Sequence, residues 1–482
     1  MVGRASRAGI QKRQLCDSDI GEQIFAVAAE LFPVCRSITG NGVRQTLAIL
    51  SKHIDIEIHE IPTGTQVLDW TIPREWNVRD AFIKDEQGNR VVDFHSSNLH
   101  VLNYSTAVQV KMPLSELKRH LFTLPDQPDV IPYRTSYYKD NWGFCLQHKK
   151  LLELPDGIYE ARIDASLEDG YLTYGEFFCP GETEQEILLS AHVCHPSLAN
   201  DNCSGLALLT LLAERLTAQK PRHSYRFLFA PGTIGAIAWL ARNEDKVARI
   251  RHGLVVSCVG DAGGPTYKRS RRGHALIDRA MTHVLQSSAS SPSILDFFPY
   301  GYDERQYCSP GFDLPVGLFQ RSQFGCFPEY HNSSDNLTFI RPEHLEFSYR
   351  MIVDALSILE HDYRPRSANP KGEPQLGRRG LYSDVGGDKE TPGQTMALLW
   401  VMNLADGEHS LLDIAERANM PFDAIQGAAS LLRESGLLLA DNIEASADYT
   451  RDMESEKVGQ SRSFCEMAPI VNGQSMGKAG SS

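Results

Sequence analysis

The chain has 482 residues, of which 42% are hydrophobic and 23% are charged, and its formal net charge is −13. This composition is typical of a soluble globular protein of two to four domains, and it excludes a collagen-like rod, a coiled coil and wholesale disorder. The acidic balance argues against nucleic acid or an anionic membrane as a general partner, because such partners require clustered Lys and Arg. The ten cysteines form no CxxC pair, and no apolar run approaches the about 18 residues of a membrane helix, so we expect a cytoplasmic protein.

The first third of the chain predicts three segments of different character. Residues 1–18 are basic and polar, and we expect a disordered leader there. A helical period over Ile20–Phe32 and an alternating run over Ile54–Ile61 predict a helix and a half-buried strand. Short β-type runs broken by Pro, Asn and Gly then predict an inserted, mostly β domain over residues 62–155.

Strands and helices alternate regularly after the inserted segment. This alternation predicts a mainly parallel sheet covered by helices on both faces, in an α/β domain made of residues 19–61 and 156–362. In such sheets the working residues lie in loops at the carboxyl ends of strands. The predicted elements are Ile187–Ala191, Cys203–Ala218, Tyr225–Ala230, Ile234–Ala241 and Gly253–Val259.

The C-terminal part predicts a linker, a small domain and a tail. Residues 363–393 are rich in Pro, Gly and charge and predict the linker. Residues 394–445 predict a compact helical domain, and residues 446–482 a disordered tail.

The helical domain has the pattern of a winged helix, with helices over Ser410–Ala418 and Phe422–Glu434 and a wing strand after them. The second helix, which would read DNA, has no basic residue before Arg433. Since a DNA reader must neutralise phosphates, we expect a packing or dimerisation role, which leaves a homo-oligomer open, and not DNA binding.

The densest cluster of chemically able residues is Ser190–Gly205, between a predicted strand and a predicted helix. His192, His195 and Asp201 share this loop, and imidazole and carboxylate suit Zn²⁺ or another divalent first-row metal. The alternative is an ordinary loop in which Asp201 caps the following helix.

Two cysteines of the same loop allow another chemistry. Cys194 and Cys203 would be a thiol nucleophile and its partner, although buried cysteines mostly behave as small apolar residues.

A second cluster contains His331 and, four residues later, Asp335, which is able to orient the imidazole. A third places Asp303, Glu304 and Arg305 side by side. Arg305 would hold a substrate carboxylate by bidentate pairing, and the alternative for all three is a solvated charged turn.

Seven stretches of the chain resemble a bacterial aminopeptidase-like family of the co-catalytic zinc aminopeptidase superfamily. They are LFPVCRSITGNGVRQTL, LDWTIPREWNVRDAFI, SNLHVLNYS, IPYRTSYYKDNWGFC, HVCHPSLANDNCSG, DERQYCSPGFDLPVG and FPEYHNSSDNL. The resemblance implies a three-layer α/β fold of the phosphorylase/hydrolase type with an inserted β domain and a C-terminal winged helix. Members of that family often occur near polysaccharide or secondary-metabolite genes.

The resemblance also implies a metal site. By motif, His192 resembles the first metal histidine, Asp201 the aspartate that bridges two metals, and His331 the last metal histidine. The implied cofactor is zinc, as one or two ions, with iron or another divalent metal as the alternative. The implied nucleophile is a water whose pKa the ion lowers.

The sequence departs from the family pattern at two places. The family has a carboxylate in a Pro-Glu-Thr-Ile-Gly run, whereas this chain has Gly232, which can neither accept a proton nor bind a metal through a side chain. Asp303 or Glu304 is a candidate replacement. Near the superfamily's further metal aspartate, the nearest acid is Asp261, which joins His195 and Asp335 as a candidate for metal binding or for orienting a ligand.

These observations predict a metal-dependent hydrolase that acts on an amide or related acyl bond of a small amino-acid-like or short-peptide substrate in a biosynthetic pathway. The alternative, which Gly232 favours, is an inactive ligand-binding or assembly module on the same fold. A DNA-binding regulator rests on the winged helix alone.

Overall fold

The computed structural model describes residues 11–288, 291–381 and 392–439. The predicted tail, 446–482, and the first ten residues of the predicted leader lie outside these ranges. None of the helices in the described part has the length and hydropathy that a membrane crossing requires.

The strands and helices of the described residues are as follows. The strands are β1 Glu57–Pro62, β2 Gln66–Val67, β3 Trp70–Thr71, β4 Glu75–Lys84, β5 Arg90–Asp93, β6 Val108–Pro113, β7 Leu121–Phe122, β8 Phe144–Cys145, β9 Ile158–Glu168, β10 Tyr171–Cys179, β11 Glu186–His192, β12 Ser224–Ala230, β13 Ile250–Val256, β14 Thr266–Lys268, β15 Ser293–Leu295 and β16 Val316–Gln320. The helices are α1 Lys12–Leu15, α2 Ile20–Leu31, α3 Asn41–Leu50, α4 Leu114–Leu117, α5 His148–Glu153, α6 Gly205–Leu216, α7 Ile234–Arg242, α8 Glu244–Val247, α9 Leu276–Ser288, α10 Glu304–Tyr307, α11 Pro342–His361, α12 Pro392–Leu404, α13 Leu411–Ala418 and α14 Phe422–Glu434.

The main sheet has eight strands in the order β1-β10-β12-β11-β13-β16-β14-β15. Its centre is parallel, since β11 pairs in parallel with β12 and β13, and β13 with β16. Every residue of β11 and of β12 is buried. Because successive side chains of a strand point to opposite faces, this burial means that both faces of the sheet are covered, as the α/β prediction required.

The inserted segment contains its own four-stranded antiparallel sheet, in the order β5-β4-β9-β6. The predicted end of this segment, residue 155, is too early, because β9 (Ile158–Glu168) pairs along its length with β4. A short turn separates β9 from β10, which joins the main sheet, and a turn between two consecutive strands gives no sign of a change of sheet. The boundary therefore had to come from strand pairing.

The predicted leader is also wrong for residues 11–18. Leu15, at the end of α1, is fully buried, and its carbonyl oxygen accepts a hydrogen bond of 3.0 Å from the Tyr349 hydroxyl. Lys12 pairs with Asp354 at 2.5 Å and with Asp423 at 2.6 Å. A four-residue helix has no apolar period to detect, and its order comes from contacts with distant parts of the chain.

The C-terminal domain begins earlier than predicted. Ser367 donates its backbone N–H to the Ala405 carbonyl oxygen at 2.7 Å, and Leu439 donates to that of Arg366 at 2.9 Å. Part of the predicted linker thus pairs with the segments around α12–α14. The segment around Arg366 and Ser367 is short, and the sequence does not show which distant segments it pairs with, which explains the error.

Candidate metal centre and active site

The main sheet brings the predicted metal ligands to one edge. His192 is the last residue of β11, and His195 and Asp201 lie in the loop that leads to α6. His192 is opposite Ala230, the last residue of β12, so Gly232 follows directly beside it. This is the carboxyl edge of parallel strands, where α/β proteins place their sites.

Three histidine side chains surround the carboxylate of Asp201. His192 Nε2 lies 2.8 Å from Asp201 Oδ1 and 3.1 Å from His195 Nδ1. His331, from a distant loop, places its Nε2 3.0 Å from Asp201 Oδ2. The two carboxylate oxygens of Asp201 therefore face two different donor groups, one with His192 and His195 and one with His331.

The charges of this cluster suit a cation. Burial opposes ionisation of Asp201, but the neighbouring His195 and the hydrogen bonds from His192 and His331 outweigh it and hold the pKa of the carboxyl well below its usual range. Burial lowers the pKa of His195 well below its usual value. A metal requires this combination of ionised carboxylate and neutral imidazole.

The donor set fits a zinc-type ion. In a tetrahedral site with bonds of about 2.0–2.1 Å, ligand atoms lie about 3.3 Å apart, close to the separations within this cluster. His192, His195 and Asp201 supply three donor atoms that lie within 4.8 Å of one another. These three residues would hold the ion. His331, which lies at the other carboxylate oxygen of Asp201, would be a further ligand on that side.

Asp335 and Asp261 support the cluster from behind. Asp335 accepts hydrogen bonds from the backbone N–H groups of Asn200 and Asp201, at 2.6 and 3.0 Å. Asp261 accepts from the Asn200 side chain at 2.9 Å and from the Ser322 hydroxyl at 2.6 Å. Both carboxylates are thus engaged with the loop that carries Asp201, and the contact by which Asp335 was expected to orient the His331 imidazole is not among its hydrogen bonds in the described residues.

The buried carboxylate of Asp303 lies next to Gly232. A Cβ atom added to Gly232 would be 3.4 Å from Asp303 Oδ1 and 3.1 Å from His192 Cβ. Both carboxylate oxygens of Asp303 are buried without a hydrogen-bond partner in the described residues. Burial raises the pKa of Asp303 to about 6, against the opposing effect of His192.

The two residues after Asp303 have different surroundings. Glu304 forms a fully buried salt bridge with Lys268 at 2.7 Å, which gives it a structural role, so we do not retain it as a catalytic candidate. Arg305 is half-buried, and its Nε has no hydrogen-bond partner in the described part of the chain.

Three tyrosines that the sequence analysis did not select enclose the cluster. Tyr302 stacks on His192 with ring centroids 4.7 Å apart, and Tyr330 stacks on His331 at 3.9 Å. Tyr133, from the inserted segment, lies edge-on to His331 at 5.1 Å. Tyr302 and Tyr330 are sequence neighbours of Asp303 and His331, and this adjacency was the signal available.

The inserted segment is joined to the His331 loop through the backbone. Tyr133 donates its backbone N–H to the His331 carbonyl oxygen at 2.8 Å, and Ser333 donates to that of Ile131 at 2.9 Å. His331 has a φ of 57°, in the left-handed region that is unusual for a residue with a side chain. The inserted domain therefore helps to set the position of the last predicted ligand.

The structure bears on the alternative that Cys194 and Cys203 are a thiol nucleophile and its partner. Burial raises the pKa of Cys194 above its usual value, and likewise that of Cys203, which disfavours a thiolate nucleophile.

Ser257 and Cys258 lie in the region where the superfamily has its further metal aspartate. Ser257 Oγ lies 3.5 Å from Asp201 Oδ1, and Cys258 Sγ lies 3.5 Å from the Tyr302 hydroxyl. Neutral hydroxyl and thiol groups thus occupy that region.

Comparison with known proteins gives the family. A model described as a domain of unknown function, DUF4910, matches residues 25–362, and a winged helix-turn-helix model matches residues 363–440. A Clostridium acetobutylicum protein, named as a polysaccharide biosynthesis protein with an aminopeptidase-like domain, is 51% identical over 421 residues, which cover 87% of this chain and 97% of the relative.

Solved structures agree with this assignment. A crystal structure from Clostridium acetobutylicum has a TM-score of 0.84 and 49% identity, and covers 89% of this chain and 98% of its own. A zinc aminopeptidase from Bacillus subtilis has a TM-score of 0.52 at 11% identity, with 73% of this chain and 95% of that chain covered, which shows a shared fold. The chain belongs to the DUF4910 family, in which an aminopeptidase-like α/β domain is here followed by a C-terminal winged helix.

Proposed function

We propose that this protein is a metal-dependent, aminopeptidase-like hydrolase that cleaves an amide or related acyl bond of a small amino-acid-like substrate. The observation that carries the proposal is the pairing of a metal-type donor cluster with the unpartnered, buried Asp303 carboxylate beside it. Buried carboxylates without partners are costly, and they are retained where they have chemistry to perform.

Asp303 replaces the carboxylate that is absent at Gly232. Its Oδ1 lies close to the position where a side chain of residue 232 would begin, so it reaches the same space from another loop. A pKa of about 6 leaves Asp303 mostly ionised at neutral pH and still basic enough to accept a proton from an attacking water. A bound ion would polarise the substrate carbonyl as a Lewis acid.

The donor count favours one tightly held ion. His192, His195 and Asp201 Oδ1 form a three-donor group, whereas the other side of Asp201 has only His331. With glycine at position 232, this second group lacks the carboxylate that would complete it. Zinc fits the donors best, and iron is the alternative.

Arg305 is proposed to bind a carboxylate of the substrate. Its Nε is buried and has no hydrogen-bond partner in the described residues, and it follows Asp303 by two residues at the start of α10. A guanidinium pairs with a carboxylate through two parallel hydrogen bonds, which would fix an amino-acid-like substrate against the base. The name of the Clostridium relative supports a place in polysaccharide biosynthesis.

Metal content tests the site. We expect about one equivalent of zinc or iron in protein purified without chelator or affinity metal. His192→Ala should lose it because three donors become two, and exposed His274→Ala, as the matched control, should retain it. A folded wild-type protein without metal would overturn the metal-dependent proposal.

Moving the base tests the role of Asp303. With an aminoacyl amide such as leucine 4-nitroanilide, Asp303→Asn should lower kcat by about 10²–10⁴-fold, the usual contribution of a general base. Adding Gly232→Glu to this variant should recover part of the loss, because the Cβ atom of the new side chain would lie 3.4 Å from the position of Asp303 Oδ1 and its carboxylate would enter the same space. Asp313→Asn, at a surface acid that pairs with Arg271, should have no effect. Full activity in Asp303→Asn would reject this assignment.

Gly232 also favours an inactive binding module as the second candidate. This alternative predicts that the wild-type protein holds the ion and cleaves no aminoacyl amide, and that Gly232→Glu creates activity. An active wild-type enzyme that depends on Asp303 would exclude it.

A further inference from the structure

A large cleft lies between the α2–α3 connection and the four-stranded sheet of the inserted segment, away from the metal-type donors. Its volume is about 850 Å³, within the range of about 300–1,000 Å³ that is usual for small-molecule sites. None of the four donor side chains lines it, but Ser197 and Ser333, each two residues after a predicted ligand, do. The cleft thus borders the metal loops without containing the metal site.

The walls of the cleft are mostly neutral and polar. Hydroxyl and amide side chains come from α3, β4 and the segment after β5, among them Asn41, Gln45, Asn77, Ser96 and Asn98. Half-buried Phe32 and Phe94 add apolar ring surface. Such walls suit a ligand with many hydroxyl groups and a few apolar C–H faces, and they favour neither a lipid nor a strongly charged ligand.

The charged residues of the cleft do not create a charged site. Arg79 is largely exposed and forms a salt bridge with Asp164. Glu168, which also lines the cleft, is exposed. One cation and one anion at the rim leave the interior without net charge, which argues against a phosphate or a polycation as the main recognition element.

An unsatisfied acceptor in the wall points to a ligand with donors. Asn98 donates from Nδ2 to the Pro33 carbonyl oxygen at 3.2 Å, whereas its Oδ1 is buried and accepts no hydrogen bond in the described residues. A buried acceptor without a donor costs about 1–3 kcal/mol. Because Asn98 lines the cleft, a turn of its side-chain amide would bring this acceptor to a ligand hydroxyl and remove that cost.

The floor of the cleft is rigidly connected to the metal loop. Arg36, fully buried beneath it, donates from Nε to the His195 carbonyl oxygen at 2.8 Å and from Nη1 to that of Leu31 at 2.8 Å. Ser197 donates its hydroxyl to the Phe32 carbonyl oxygen at 2.9 Å. The cleft is therefore a preformed feature of the folded chain, as binding sites usually are.

We propose that this cleft binds a neutral, polyhydroxylated ligand: a saccharide, or the glycosyl part of a larger molecule. The proposal concerns binding alone and does not depend on hydrolysis at the metal centre. It assigns the α2–α3 connection and the inserted sheet a recognition role next to the predicted site.

Binding of defined sugars tests the proposal. Maltotriose, chitotriose and UDP-N-acetylglucosamine are titrated into the full-length protein and followed by saturation-transfer NMR and calorimetry. Tri-leucine, a peptide whose side chains carry neither charge nor hydroxyl groups, serves as the control ligand. We expect at least one sugar probe to bind and tri-leucine not to displace it. Binding by the neutral oligosaccharides indicates free saccharide, and binding by the nucleotide sugar alone indicates a glycosyl donor.

Blocking variants locate the site. Gln45→Trp places a large ring in the cleft from the exposed face of α3, and Asn98→Ala removes the unsatisfied acceptor. Each should weaken binding at least about tenfold, the effect of about 1.4 kcal/mol. Gln87→Trp, in the exposed turn before β5, is the matched control and should bind like wild type. Thermal unfolding verifies that the variants fold. If Asn98→Ala does not fold, Gln45→Trp alone provides the test. Absence of sugar binding, or binding unchanged in folded Gln45→Trp, would overturn the proposal.

Discussion

At the scale of single residues, Gly232 and Asp303 come from different parts of the chain and lie next to each other beside His192. The sequence offered Asp303 and Glu304 as candidate replacements, but Gly232 and Asp303 are 71 positions apart and no spacing shows which acid lies beside the glycine. Strand pairing places Gly232 beside His192, and the loop before α10 brings Asp303 Oδ1 to the same place. The predicted ligands His192, Asp201 and His331 do meet in space, and their role in metal binding stays a proposal.

A buried histidine far from this site predicts how stability depends on pH. His223 is 3% exposed and donates from Nε2 to the Leu359 carbonyl oxygen at 3.2 Å. Burial, with a smaller effect of Arg222, lowers its pKa from 6.5 to about 4. Between these values the unfolded chain binds a proton that the native protein excludes, so stability falls as the pH falls.

The expected slope from this one group is about 1.4 kcal/mol per pH unit. In urea unfolding between pH 4 and 6.5, the free energy of unfolding should depend less steeply on pH in His223→Gln than in the wild-type protein, by about this amount. His274→Gln, at an exposed position, should leave it unchanged. Equal slopes in His223→Gln and wild type would show that His223 is not the group responsible.

At the scale of elements, long periodic segments were predicted well and short or paired ones were not. The predicted helix over Ile20–Phe32 is confirmed as α2, and the predicted strand Tyr225–Ala230 lies within β12. In contrast, α1 lay inside the predicted leader and β9 was assigned to the wrong domain. Period and propensity are local, whereas the order of α1 and the sheet that β9 joins depend on distant partners.

The burial of Leu15 predicts that α1 is an integral part of the α/β domain. Leu15→Ala should destabilise the protein by about 2–4 kcal/mol, because a fully buried leucine loses its contacts and leaves a cavity. Leu152→Ala, at a leucine that is 72% exposed on α5, should change the free energy of unfolding by less than about 0.5 kcal/mol. Equal effects in the two variants, measured by urea unfolding, would mean that α1 does not pack as described.

At the scale of the whole molecule, the winged helix is attached to the α/β domain by its acidic residues. Arg279 of α9 pairs with Asp413 of α13 at 2.6 Å and with Glu416 at 2.5 Å. Lys12 of α1 pairs with Asp423, the second residue of α14. Both helices of the helix-turn-helix thus present acids to basic partners within the same chain, an arrangement opposite to that of a DNA reader.

We therefore expect no specific DNA binding. A mobility-shift assay at low salt, where phosphate contacts are strongest, should show no complex at micromolar protein. The charge-reversing variant Asp423→Lys should stay unable to bind DNA, since one added lysine does not make a phosphate-binding surface. A salt-sensitive complex formed by the wild-type protein would contradict this expectation and revive a regulatory role for the winged helix.

The sequence by itself determined the α/β class, the inserted β segment, the winged helix and the loops that carry His192, Asp201 and His331. These features follow from local periodicity, turn residues and motifs, which need no knowledge of distant contacts. Only the tertiary structure decided which acid lies beside Gly232, that Glu304 pairs with Lys268, where the inserted sheet ends and that a polar cleft adjoins the loops after His195 and His331. Each of these features depends on contacts between segments that are distant in the sequence, because those contacts set the burial of a residue, its partners and its pKa.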